Sequence, residues 1–142
     1  MDDDYGGLWN RETAMDDATT AHSRTGFIVT YRNCPILWGS KLQTEKALST
    51  TEAEYIALSE ALRQVIPMLE MTKEAIARNI IKLPTSIDMV CTVFEDNSGA
   101  LELAKVPKLR PRTKHINHKY HHFRDYVARG DIKILPVKSE EQ

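Results

Sequence analysis

Three groups of acidic side chains stand where they could act together on a phosphate ester: Asp2-Asp3-Asp4, the pair Glu52 and Glu54, and Asp96. Each falls at the junction of two expected elements, and carboxylates so placed can converge at one end of a sheet. Hard divalent cations such as Mg²⁺ take oxygen ligands, and two such ions can clamp the attacking and leaving oxygens of a phosphodiester. Each group also has a structural reading. Ser49-Thr50-Thr51-Glu52 fits a capping box, and Thr51-Glu52-Ala53-Glu54 fits it equally well. Asp96 can cap the helix that follows it. Asp2 to Asp4 can be a solvated acidic run. Spacing alone selects none of these.

A second concentration of chemistry lies later in the chain. Lys105 to Arg129 holds eight Lys or Arg, one acid (Asp125) and four of the five histidines. His115, His118 and His122 share one face of an expected helix. A zinc site could use that face, but no fourth ligand has suitable spacing. With Tyr120 and Phe123 interleaved, the run reads more naturally as a patch that tracks a nucleic-acid backbone; a merely solvated basic face is the alternative. Lys105, Lys108, Arg110, Arg112, Lys114, His115 and Lys119 are the candidate phosphate contacts.

The elements that must position these groups follow from pattern. Residues 1–24 show no clear period. Gly26 to Tyr31 reads as a strand, Arg32-Asn33-Cys34-Pro35 as a turn, and Ile36 to Lys41 as the returning strand. Ala47-Leu48-Ser49 is a candidate third strand. Thr51 to Asn79 is the strongest helix, with Tyr55, Leu58, Leu62, Val65 and Leu69 on one apolar stripe and Pro67 predicting a kink or break. A strand over 86–95, a helix over 98–105 and a helix over 114–129 ended by Gly130 come next. A strand over 132–137 follows, and Ser139 to Gln142 reads as the start of another helix. This order predicts an α/β domain with a mixed sheet and an antiparallel hairpin at one side.

Bulk composition adds limits. A chain of 142 residues suits one domain; 42% hydrophobic and 27% charged residues suit a globular one. The net charge of -1 gives no whole-molecule attraction for a polyanion. The charge is divided, however: Met1 to Asp17 holds six acids and one base, against the basic later segment. Cys34 and Cys91 form no metal-ligand spacing and sit in apolar runs, which predicts buried free thiols and suits a reducing compartment. No apolar run reaches the length of a membrane span, and the acidic first residues argue against a secretory or mitochondrial leader.

Four stretches together resemble the ribonuclease H region of copia-type retrotransposon Pol polyproteins. They are Ser23-Arg24-Thr25-Gly26-Phe27, the run Leu48 to Ser59 around Thr51-Glu52-Ala53-Glu54-Tyr55, Glu95-Asp96-Asn97-Ser98-Gly99-Ala100-Leu101, and Arg112-Thr113-Lys114-His115-Ile116-Asn117 with Tyr120-His121 after it. Their order and separations match over nearly the whole chain. The resemblance implies a single ribonuclease H-like domain over 1–142: a mixed sheet flanked by helices, with the first strand and the last helix largely missing. It implies that Asp2, Glu54 and Asp96 are the metal-binding catalytic residues, leaving Glu52 to cap. It places a fourth ligand, an Asp, beyond Gln142.

The implied activity is hydrolysis of the RNA strand of an RNA–DNA hybrid with two Mg²⁺ ions, or Mn²⁺ in their place. Hybrid selectivity would come from shape and 2′-hydroxyl contacts. The implied partners are the hybrid and a reverse transcriptase portion upstream, with no membrane. The implied location is the cytoplasmic retrotransposon particle or the nucleus. The alternatives are a catalytically dead fragment that keeps at most nucleic-acid binding, and a zinc-binding interaction domain built on the histidine face.

Overall fold

The structure is a computed structural model that describes residues 21–82, 89–105 and 121–137, and residues 2–4 by their backbone. Its elements are β1 (Asp2–Asp4), β2 (Arg24–Tyr31), β3 (Cys34–Leu42), α1 (Thr50–Ala77), β4 (Cys91–Glu95), α2 (Ser98–Lys105), α3 (Arg124–Arg129) and β5 (Ile132–Pro136). The fold is α/β. Of the expected helix over 114–129, residues 121–129 are described: 121–123 form a turn and only Arg124–Arg129 is α-helical; the expected helix start at Ser139 lies outside the described residues.

Among the described residues the strands form two small sheets rather than the expected single mixed sheet. One is antiparallel in the order β1-β2-β3; the other pairs β4 with β5 in parallel. The three residues of β1 pair with β2, Asp2 opposite Gly26. The β2–β3 connection is tighter than expected. Only Arg32 and Asn33 form the turn, both at positive φ (49° and 64°), as a two-residue hairpin matching strand twist demands. Pro35 therefore lies inside β3 rather than in the turn. Pro35 can do so because β3 is an edge strand, and the register shifts at Val29/Thr30 beside it.

Ala47-Leu48-Ser49 is not a strand; Ser49 is the N-cap of α1. That helix runs on through Pro67, so of the expected kink or break the break does not occur. Pro67 has no N–H to give the carbonyl of Arg63. Both residues are exposed, so water can satisfy that carbonyl at little cost. The stripe of Tyr55, Leu58, Leu62, Val65 and Leu69 is buried as its spacing predicts. It packs with Leu101 and Leu103 of α2, with Phe123, and with Ile132 and Ile134 of β5 into one core.

Cys34 is exposed and Cys91 half-buried, so the expectation of two buried thiols is corrected. Cys34 begins the outer strand of the hairpin, where an apolar neighbourhood in sequence is not a buried one. Among the described residues no helix is long and apolar enough to cross a membrane.

Candidate metal centre

Glu54 is brought to the site by the start of α1. Ser49 Oγ accepts the Glu52 N–H at 3.2 Å, and Glu52 Oε2 accepts the Leu48 N–H at 2.9 Å. This reciprocal pair is a capping box whose acidic arm reaches one residue further back than the cap itself. Of the two registers the sequence allows, Ser49–Glu52 is the one formed. Glu54 is left in the first turns of α1 with 8% of its surface exposed.

Asp96 is brought to the site by the junction of β4 and α2, and it is not the cap of α2. Asn97 is: its Oδ1 accepts the Ala100 N–H at 3.0 Å and its carbonyl accepts the Leu101 N–H at 3.0 Å. The cap is steadied from both sides. Glu95 Oε1 accepts the Asn97 N–H at 3.0 Å, and the Thr51 hydroxyl donates to Asn97 Oδ1 at 3.4 Å. The structural readings of Glu54 and Asp96 as caps are thus taken by Glu52 and Asn97.

One carboxylate oxygen from each of Glu54, Glu95 and Asp96 lies within 4.8 Å of the others. Thr51, Asn97, Ser98 and Gly99 complete the wall of the open depression that holds Glu54 and Asp96. Glu95 has none of its surface exposed. Three carboxylates this close repel one another unless protons, donors or a cation intervene. An all-oxygen donor set of this kind suits a hard divalent cation.

Glu95 is the member that motif reading misses. Period-two alternation could have found it: Cys91, Val93 and Glu95 occupy one side of β4, and the first two pack against the core. An ionisable residue at an inward strand position is rare enough to mark. Asp2 lies in β1, which contacts both β2 and the Glu54-bearing helix α1. The structure brings together Glu54 and Asp96 of the expected trio, and places Asp2 by its strand.

Of the described histidines, His121 and His122 pack residues 121–124 on α1, whereas His22 Nδ1 lies 2.6 Å from the Gln43 carbonyl oxygen. His121 Nδ1 and Tyr55 Oη share a hydrogen bond of 2.6 Å, and His122 Nδ1 lies 3.5 Å from Ser59 Oγ. Burial pushes the Tyr55 phenol above its ordinary value, opposed by the charge and hydrogen bond of Arg124. Among the described residues the one metal-capable group is the carboxylate cluster, not a histidine face; His115 and His118 lie outside the described residues. Of the expected phosphate contacts, Lys105 is exposed at the end of α2. Lys108, Arg110, Arg112, Lys114, His115 and Lys119 fall outside the described residues.

An α/β fold with a carboxylate cluster at a strand–helix junction defines a candidate divalent-metal protein. The chain is similar to a segment of retrotransposon Pol polyproteins. It is 34% identical over 125 residues to the Retrovirus-related Pol polyprotein from transposon TNT 1-94 of Nicotiana tabacum, a match to 88% of this chain and 9% of that protein. It is 29% identical over 120 residues to the corresponding polyproteins from transposons RE2 and RE1 of Arabidopsis thaliana, covering 84% of this chain and 8% of each relative. The chain therefore spans less than a tenth of the length of these relatives and has its origin in a polyprotein of this kind. No family profile and no solved structure matches it.

Proposed function

We propose that this chain is the ribonuclease H-like part of a retrotransposon polyprotein, and that it hydrolyses the RNA strand of an RNA–DNA hybrid with Mg²⁺ or Mn²⁺. The observation that carries this reading is the approach within 4.8 Å of Glu54, on α1, and the adjacent pair Glu95 and Asp96, at the end of β4. The Pol polyprotein similarity supports it, as does the order of an antiparallel hairpin, a long helix, and a parallel strand pair bridged by helices.

The donor set fits the ion. Glu54 and Asp96 would hold it directly, with Asp2 contributing from β1. Bound Mg²⁺ supplies Lewis acidity and charge neutralisation at a phosphodiester. Glu95 takes the supporting place: its Oε1 accepts the Asn97 N–H, which fixes the turn that presents Asp96. The open depression leaves one side of Asp96 accessible to a phosphate backbone. Lys105, together with Lys108, Arg110, Arg112, Lys114, His115 and Lys119, is the proposed track for that backbone. The reverse transcriptase portion of the same polyprotein is the proposed neighbour.

The test is cleavage of an end-labelled hybrid by the protein in Mg²⁺, beside Asp96→Asn and a hybrid-binding measurement. Cleavage by the native protein and its loss in Asp96→Asn is the expected result. Hybrid binding without cleavage would replace the enzyme reading with that of a non-catalytic binding module. Equal cleavage by both proteins would place the activity elsewhere.

A further inference from the structure

One cation outside the carboxylate cluster ties together the helices flanking it. Arg124, the first residue of α3, donates from Nε to Tyr55 Oη at 3.1 Å and from Nη2 to the Leu103 carbonyl at 2.7 Å. Tyr55 is fully buried and directly follows Glu54. Leu103 belongs to α2, the helix that Asp96 and Asn97 lead into. The Tyr55 ring is fixed further by Phe123 at 5.6 Å and His121 at 5.3 Å between ring centroids.

A guanidinium is planar and permanently charged, so two donations in set directions define a distance between their acceptors. Here the acceptors lie on α1 and on the far part of α2. The near end of α2 is held to α1 separately, through the Thr51–Asn97 contact and the close fit of Gly99 against Thr51. With a rise of about 1.5 Å per residue, α2 is a rod about 12 Å long, secured to α1 at both ends.

We infer that Arg124, acting through Tyr55 and the Leu103 carbonyl, is a positioning residue for the carboxylate cluster. This rests on the cation reading of that cluster. Releasing the far end lets α2 tilt, and the tilt is passed at its N-terminus to the Asn97 cap and the turn that presents Asp96. Mg²⁺ tolerates little such movement, because its oxygen ligands must sit at about 2.0–2.1 Å in near-octahedral array, and Mn²⁺ takes the same octahedral oxygen set. Arg124 touches none of the three carboxylates in this account; it sets where they stand.

The test follows free Mn²⁺ by electron paramagnetic resonance at a temperature where every variant is folded. Native protein is compared with Arg124→Gln, Arg124→Lys and Tyr55→Phe, and Asp131→Asn serves as a destabilised control away from these contacts. Arg124→Gln should weaken Mn²⁺ binding about tenfold, in the range for residues that orient metal ligands. Arg124→Lys, able to reach one acceptor, and Tyr55→Phe, which keeps the Leu103 bond, should fall between. Asp131→Asn should bind as the native protein does. If Arg124→Gln does not fold, Tyr55→Phe decides, since it preserves the buried ring. Variants that melt lower yet bind Mn²⁺ with native affinity would overturn the positioning role alone. Failure of the native protein to bind Mn²⁺ would overturn both that role and the cation reading.

Discussion

Thr51 and Gly99 meet so closely that a methyl group on Gly99 would lie 2.8 Å from both Cγ2 and Oγ1 of Thr51. The first turns of α1 and α2 can approach only because residue 99 has no side chain. Rotating Thr51 about χ1 would exchange one clashing atom for another, so the helices themselves must part. Gly99→Ala should therefore destabilise the protein by about 1–3 kcal/mol despite the better helix propensity of Ala. Urea unfolding reads the cost; an unchanged or raised midpoint would mean that the two helices separate freely.

The cap at Ser49 predicts a smaller, local effect. Ser49→Ala removes the acceptor for the Glu52 N–H and should cost about 1 kcal/mol. Glu52→Ala removes the reciprocal bond to Leu48 and, being coupled to the first, should cost less when added to Ser49→Ala than when made alone. A double-mutant cycle in urea measures this coupling. Strictly additive costs would show that the two bonds form independently.

The Lys73–Asp131 pair, 2.7 Å from Nζ to Oδ1, joins α1 to the turn before β5. The hydrogen bond from Lys73 holds the Asp131 carboxyl below its ordinary 3.8, partial desolvation opposes, and the charges of Lys73 and Arg129 add to the lowering. A depressed folded-state value means that the folded protein binds this proton less readily than the unfolded chain. The stabilisation is thus present above the ordinary carboxylate range and lost as pH falls through the folded value. Asp131→Asn should lower the melting temperature at pH 7, with the difference from native closing at the acid end of the titration. A difference constant across that range would contradict the pairing.

The two thiols should react at different rates. Cys34 is exposed, whereas Cys91 is half-buried and burial pushes its thiol above the ordinary value of 9.0, leaving less thiolate at neutral pH. Mass spectrometry during brief iodoacetamide treatment should find the label on Cys34 first. Labelling of Cys91 first would contradict the packing of β4.

Several of these features were legible in the residues alone, and others were hidden for physical reasons. The α1 stripe was readable because five large apolar residues at three- and four-residue steps leave one face to bury. Gly130 was readable as a helix stop, and it adopts φ 83°. The meeting of Glu54 with Asp96 was not readable from spacing, since their approach depends on how α1 packs beside α2; it entered through a resemblance. The choice between Ser49 and Thr51 as cap turned on where the first helical hydrogen bond falls, which the run of hydroxyl residues Ser49-Thr50-Thr51 leaves open. Asn97 escaped notice because the preceding Asp96 offers the same capping chemistry one residue earlier. Pro67 does not break the helix because its cost depends on exposure, and both it and Arg63, whose carbonyl it deprives of a donor, are exposed.

The most direct measurement is the anomalous scattering of crystals soaked in Mn²⁺. Mn²⁺ should appear between Glu54 and Asp96, ligated by carboxylate oxygens of both, and the peak should vanish in Asp96→Asn. Mn²⁺ bound only at other places, or a peak that persists when Asp96 is neutralised, would contradict a cation site built from these carboxylates.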